Sequence, residues 1–362
     1  MEKTEDFDSA LRIQAGISRL PNVNPEVFTK SGRKKKKKYS VDEYVEGIIA
    51  GNRTILSQAI TLTESSLPHH TETAQEIIKK CLPLSSGSVR IGITGAPGVG
   101  KSTFIETFGL YLTGQGKKLA VLAIDPSSGQ TKGSILGDKT RMEKLSVHGS
   151  AYIRPSPSTG TLGGVARKTR EAIILCEAAG FDTIIVETVG VGQSETSVRT
   201  MVDFFLLLLL AGAGDDLQGI KRGIMEMADG VAITKADGSN KLNAERASIS
   251  FQNALNLFPV TGSGWKPQVL TCSARQNTGI TDLWNIIMDY VGFTRKSGYF
   301  DRLRKEQEVA FMHNMISESL NNSFYSDNKI RIMRQELENQ LYEGTITSHK
   351  AALRLLDIYF RK

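Results

Sequence analysis

Cysteine is scarce in this 362-residue chain: Cys81, Cys176 and Cys272 stand far apart and are odd in number. No CxxC pair or Cys/His cluster accompanies them, which argues against a disulfide scaffold and a zinc module and favours a reducing compartment. Long apolar runs are lacking as well. The longest, Phe204 to Ala213, is about half the ~20 residues that a membrane-spanning helix needs. Its acidic flanks, Asp203 and Asp215-Asp216, suit a strand buried on both faces of a parallel sheet. The amino terminus, Met1-Glu2-Lys3-Thr4-Glu5-Asp6, has neither the apolar core of a secretion signal nor the arginine-rich, acid-poor character of a transit peptide. A cytoplasmic protein with no membrane association is expected. There is no internal repeat. The five histidines are scattered apart from the His69-His70 pair, so they suit surface or core positions better than a metal site.

Positive charge is present in excess, but it is localised. Lys30, Arg33 and the five lysines Lys34–Lys38 together match the whole net charge of +7, so the rest of the chain is neutral. A lone lysine tract of this kind reads as a solvated linker. No interleaved aromatics or recognition motif accompany it, and nucleic-acid binding is not expected.

The length predicts one large α/β domain with smaller flanking pieces. Residues 1–87 read as a helical segment, with Val45, Ile48, Ile49, Leu56 and Ile60 at helical spacing between Tyr44 and Leu62. Leu82 to Ser88 reads as a linker. From 88 to 296 short apolar runs alternate with helices, the signature of a mostly parallel sheet. Expected strands are Val89–Thr94, Leu119–Asp125, Ala151–Arg154, Thr183–Glu187, Phe204–Ala211, Gly230–Thr234 and Gln268–Cys272. Expected crossover helices are Ser102–Gln115, Val165–Ala179, Lys241–Leu257 and Ile280–Val291. Residues 297–362 carry two apolar helical stripes, Val309/Met312/Ile316/Leu320 and Ile330/Met333/Leu337/Leu341. Gly344 is a stop signal, and Thr347 or Ser348 is the next cap. A helical tail of this size needs a partner surface, either the sheet domain or a second copy.

Chemistry is concentrated at the carboxyl ends of the expected strands, where ligands of open parallel sheets bind. Gly95-Ala96-Pro97-Gly98-Val99-Gly100-Lys101-Ser102 satisfies G-x-x-x-x-G-K-[ST] between a strand and a helix. Such a loop closes backbone N–H groups around phosphate at a helix amino terminus. Lys101 is placed to reach the β- and γ-phosphates and Ser102 to ligate Mg²⁺, with Thr103 among the nucleotide-binding residues. Glu187 ends a strand and begins E-x-x-G with Gly190, the position of a magnesium-binding acid and a γ-phosphate sensor. Asp125 ends the second strand in Leu122-Ala123-Ile124-Asp125-Pro126-Ser127-Ser128 and can face the metal or an attacking water; Asp138 follows in a polar segment. Thr234-Lys235-Ala236-Asp237 fits [NT]-K-x-D, and Ser273-Ala274-Arg275 fits S-A-[KR]. Together they read guanine: the Asp237 carboxylate accepts from N1–H and N2–H₂, the Lys235 stem stacks on the base, and the second loop offers a backbone N–H to O6. The stretch Pro155 to Gly164 reads as a turn or switch. The cofactors expected are therefore GTP/GDP and Mg²⁺.

With these motifs in place the chain resembles the MeaB/ArgK family of GTPases, bacterial relatives of the methylmalonic aciduria type A protein. The resemblance spans about residues 40 to 362. It rests on the 95–102 loop, on Leu122–Ser128, on Glu187-Thr188-Val189-Gly190-Val191-Gly192-Gln193-Ser194, and on Asp216-Leu217-Gln218-Gly219-Ile220-Lys221. It implies a G protein that escorts adenosylcobalamin-dependent methylmalonyl-CoA mutase, gating cofactor loading and protecting that enzyme from inactivation. It also implies a homodimer formed through the carboxyl-terminal helices. Ser102, Asp125, Asp138 and Glu187 fall on the family's magnesium positions. Gln218 and Lys221 fall on its third switch and, with Lys101 and Asp125, are the catalytic candidates. Thr234 stands where the wider GTPase pattern more often has Asn. No D-x-H-x-x-G occurs, so a cobalamin-ligating role for this chain is unsupported.

Three other readings remain open at this stage. An ATP-using kinase of periplasmic transport proteins is disfavoured by Asp237 and Ser273. A nickel-inserting GTPase of the same superfamily needs a Cys/His site that the sequence does not offer. A module that binds GTP only as a structural ligand is compatible with every motif.

Overall fold

The structure is a computed structural model describing residues 39–65, 67–85, 87–125, 142–157, 162–188, 194–211 and 222–361. Residues 41–362 form one compact unit. Seven strands pair in parallel: β1 (Val89–Gly95), β2 (Leu119–Asp125), β3 (Ala151–Pro157), β4 (Thr183–Thr188), β5 (Phe204–Leu210), β6 (Gly230–Thr234) and β7 (Gln268–Thr271). Their spatial order is β3-β2-β4-β1-β5-β6-β7, with every pairing parallel. All of β1, β4 and β6 is buried, as expected of strands covered on both faces. The run Phe204–Leu210 shows why it is apolar throughout. Leu206 and Leu208 enter the core shared with Ile91, Ile93, Phe104 and Phe108, whereas Leu207 and Leu209 enter a second core with Ile233, Ala244 and Phe251. Successive residues alternate between faces, so a strand buried on both sides is apolar at every position.

The helices are α1 (Val41–Ile49), α2 (Arg53–Glu64), α3 (Pro68–Cys81), α4 (Lys101–Gly114), α5 (Glu143–Ser146), α6 (Leu162–Ala178), α7 (Ser194–Arg199), α8 (Arg222–Met227), α9 (Lys241–Leu255), α10 (Ile280–Lys296), α11 (Tyr299–Ser326), α12 (Asn328–Tyr342) and α13 (Ser348–Phe360). The apolar pattern between Tyr44 and Leu62 is divided between two helices. Gly51 turns the chain at φ +72°, and the Asn52 side chain accepts from the N–H groups of Thr54 and Ile55 to start α2. Ile48, Leu56 and Ile60 are buried, but Ile49 is half exposed. Residues 82–84 form a short 3-10 turn between α3 and β1. β3 runs on through Pro157, and α6 begins at Leu162, so both ends of the Pro155–Gly164 stretch are regular structure.

Helix α11 begins on the sheet and leaves it. Phe300 is buried in the main core. Arg304 donates to Asp203 at 2.7 Å and to the Ser88 carbonyl at 2.7 Å, and Gln307 donates to the Val202 carbonyl at 2.8 Å. Beyond these contacts Val309, Met312, Ile316 and Leu320 are about half exposed. The second stripe is divided: Ile330 and Leu337 are buried, while Leu341 is 37% exposed. Thr347 caps α13 by accepting from Lys350 N–H.

Gly279 opens α10 at φ +74°, and a Cβ there would lie 2.2 Å from the Thr271 carbonyl. Backbone strain and a backbone clash act together, so Gly279→Ala is expected to cost about 2–4 kcal/mol. Urea unfolding followed by circular dichroism measures this.

Candidate active site

The phosphate loop springs from the end of β1, in the middle of the sheet. Its glycines are required by geometry. A Cβ on Gly95 would lie 2.5 Å from the Leu208 carbonyl on β5, and Gly98 and Gly100 sit at φ +84° and +95°. Gly100 is the left-handed residue that precedes α4. Lys101, the first residue of that helix, folds its ammonium over the loop and donates to Gly95 O at 2.6 Å and Ala96 O at 3.2 Å. Burial lowers its pKa, and the charges of Glu187 and Glu195 act in the opposite direction.

Glu187 is buried near the end of β4. It is in register with Ile93 of β1 on one side and Ala123 of β2 on the other, which sets it beside the strand that feeds the loop. Behind it the Thr188 hydroxyl donates to Thr94 Oγ1 at 2.8 Å, and Thr94 Oγ1 lies 3.5 Å from Glu195. Glu195, in the first turn of α7, is fully buried. Ser102, in the first turn of α4, carries a hydroxyl and Glu187 a carboxylate, hard oxygen donors of the kind Mg²⁺ takes alongside water and substrate phosphates. No group of three or more His, Cys, Asp or Glu that could hold a metal occurs among the described residues.

The base side is built where β6 and β7 end. The Thr234 hydroxyl lies 2.8 Å from Val99 O and 3.1 Å from Leu209 O, so this side chain ties the end of β6 to the phosphate loop. Lys235 adopts φ +55°, and its ammonium donates to Gly98 O at 2.9 Å. The Ser273 hydroxyl donates to the Asp237 carboxylate and accepts from Gln276 N–H at 3.1 Å. Ala236 N–H donates to Cys272 O at 3.0 Å. A pocket of about 250 Å³ lies between these loops, lined by Val99, Thr103, Lys235, Asp237, Ala274 and Arg275 among others. The phosphate loop and the loops that follow β6 and β7 thus border one concavity.

The family model described as "Methylmalonyl Co-A mutase-associated GTPase MeaB" matches residues 56–329, more than half of the chain. The chain belongs to the MeaB family of GTPases. It is similar to the GTPase ArgK of Escherichia coli (strain K12), with 46% identity covering 82% of this chain and 89% of that protein. It is also 44% identical to the mitochondrial methylmalonic aciduria type A homolog of Mus musculus, covering 91% of this chain and 81% of the other. Among solved structures, one described as LAO/AO transport system kinase superposes with a TM-score of 0.72 at 35% identity, covering 88% of this chain and 97% of that one. This MeaB-family protein is accordingly a GTP-hydrolysing P-loop enzyme that binds guanine nucleotide.

Of the residues singled out by sequence, the structure brings Val99, Gly100, Thr103, Thr234, Lys235, Asp237, Ala274 and Arg275 to one pocket. Asp125 is placed by its backbone at the end of β2. Asp138, Gly190, Gln218 and Lys221 lie outside the described residues, as does the Lys34–Lys38 tract. Sequence reasoning overlooked Glu195 and Thr94. The visible signal was a glutamate directly after the Glu187–Ser194 string, and a threonine immediately before Gly95.

Proposed function

We propose that this GTPase is a G-protein chaperone of an adenosylcobalamin-dependent methylmalonyl-CoA mutase, gating cofactor loading and protecting that enzyme from inactivation. The observation that carries the nucleotide half of this reading is the Asp237 carboxylate, held by Ser273 at the edge of the pocket. Such a carboxylate matches the paired donors of guanine, which adenine does not present. The family description supports the mutase half. One solved relative is described as a transport system kinase, but the base pocket of this chain favours GTP over ATP.

Lys101 neutralises the transferred phosphoryl group. Ser102 and Glu187, joined by Asp125 and Asp138, would hold Mg²⁺, which when bound would supply charge stabilisation to the reacting phosphates. Gly190 senses the γ-phosphate. Val191 directly follows it, at the position where Ras-like proteins place a water-orienting Gln. Intrinsic turnover is therefore expected to be slow, with Gln218 and Lys221 completing the site on contact with the mutase. A supplied positive charge can be worth about 10³-fold. GTP turnover measured with and without a methylmalonyl-CoA mutase, in wild type and Lys221→Ala, tests this. Acceleration of neither protein would remove the chaperone role; equal acceleration of both would remove Lys221 from it.

We further propose that the protein works in the cytoplasm as a homodimer through α11 to α13. No helix among the described residues is long and apolar enough to cross a membrane. The half-exposed stripe Val309/Met312/Ile316/Leu320 supports a partner surface, and a second copy is the simplest source. A cut near Phe300 would remove a core side chain and leave Asp203 buried without Arg304. Ile316→Glu is the cleaner test. Light scattering is expected to show a monomer that still binds GDP, and a persistent dimer would place the interface elsewhere.

A further inference from the structure

The geometry points to Thr107 as a positioning residue for guanine selection, acting through the carbonyl of Ala274. This rests on the proposed guanine reading and extends it to a residue outside every nucleotide motif. The Thr107 hydroxyl donates to Ala274 O at 3.2 Å, across a sequence separation of 167. A helical threonine commonly turns its hydroxyl back to a carbonyl three or four residues earlier. Thr113 of the same helix does so, with Gly109 O at 3.0 Å and Leu110 O at 3.1 Å. Thr107 instead reaches out of α4 to the loop after β7.

That loop's own hydrogen bonds brace its base. Ser273 and Thr278 exchange two backbone hydrogen bonds, at 3.0 and 3.1 Å, and Gln276 N–H returns to Ser273 Oγ. Asn277 completes the reversal at φ +55°. None of these contacts holds the Ala274 carbonyl, which fixes the torsion on which the direction of the Ala274–Arg275 peptide depends. The Thr107 hydroxyl supplies that restraint, and α4 also carries Thr103 and Phe104 into the pocket wall beside Ala274. The helix that starts at the phosphate loop therefore braces the backbone offered to guanine O6. Removing the hydroxyl should impair reading of O6 while sparing the phosphate contacts and the Asp237 contacts to N1–H and N2–H₂.

The test is a cycle of two proteins and two nucleotides, read by calorimetry on the full chain. Thr107→Val is expected to weaken GDP roughly three- to ten-fold, the worth of one hydrogen bond. Against 6-thioguanosine diphosphate, whose sulfur is a poor acceptor but whose other edges are unchanged, the loss should be less than about two-fold. Thr107→Ser keeps the hydroxyl and should restore GDP affinity, and turnover at saturating GTP should be unchanged in both variants. Equal losses for the two nucleotides, or no loss for either, would overturn the role of Thr107. The wild-type preference for GDP over ADP is measured in the same series. If that preference is missing, the guanine reading itself fails; if it is present without coupling, only Thr107 is wrong. Should Thr107→Val not fold, the comparison is made with Thr107→Ala, and failure of Thr107→Ser to restore GDP affinity overturns the inference.

Discussion

Replacing Lys101 with alanine is expected to lower GTP turnover by about 10³-fold or more while leaving the fold intact. The expectation comes from where the ammonium lies. Lys101 is the first residue of α4, and its Nζ is within hydrogen-bonding distance of two carbonyls of the loop that it serves. Burial works against its charge, and Glu187 and Glu195 act in the opposite direction; the side chain lies where the β- and γ-phosphates are expected. In a partly buried position such a charge stabilises developing negative charge more than it would in solution. Truncation leaves neither the charge nor a donor. Ser102→Ala should lose turnover by a different route, through a looser metal, and raised Mg²⁺ should restore part of it. Lys101→Ala should not respond to Mg²⁺. Single-turnover hydrolysis across a magnesium titration separates the two. Lys101→Ala turnover within tenfold of wild type would take the lysine out of phosphoryl stabilisation. An unchanged magnesium requirement in Glu187→Gln would remove that carboxylate from the metal site.

The sheet was legible because most of its strands are short, largely apolar runs bounded by polar or glycine-rich sequence. Leu206 to Leu209 needed no periodicity to be recognised; the length of the run and its acidic flanks sufficed. Helix boundaries were harder. The apolar spacing on either side of Gly51-Asn52 persists because α1 and α2 both bury residues of the same stretch, so periodicity alone conceals the break. Its glycine and asparagine were the visible signal. Pro155 and Pro157 argue against a strand, yet β3 contains both. It is an edge strand, and proline is tolerated where one side of the ladder carries no partner. Motif residues were legible because phosphate and guanine recognition require specific residue types at fixed spacing. Contacts between distant segments were not. Nothing in the local sequence links Arg304 to Asp203, Thr234 to Val99 or Thr107 to Ala274, since each pairing is created only when the strands assemble in the order β4-β1-β5-β6-β7.

Asp237→Asn is expected to convert a guanine site into a xanthine site, with GDP affinity falling about 10²-fold or more and xanthosine diphosphate becoming the preferred ligand. Guanine presents two donors, N1–H and N2–H₂, to a carboxylate that accepts both. Xanthine keeps N1–H but carries a carbonyl at C2, which a carboxylate repels and an amide N–H₂ can satisfy. The surrounding geometry should survive the change. Ser273 Oγ donates to Asp237, and the asparagine oxygen can accept that same bond, turning the amide nitrogen toward the base. The remaining supports do not involve residue 237: Thr234 braces Val99, and Lys235 reaches Gly98. Thermal unfolding without nucleotide should accordingly be little altered, which separates a change of specificity from a loss of structure. Calorimetry with GDP, xanthosine diphosphate and ADP reads the outcome. A variant that loses GDP without gaining xanthosine diphosphate would mean that Asp237 supports the loop and does not face the base. A variant that still prefers GDP would place guanine recognition elsewhere in the pocket.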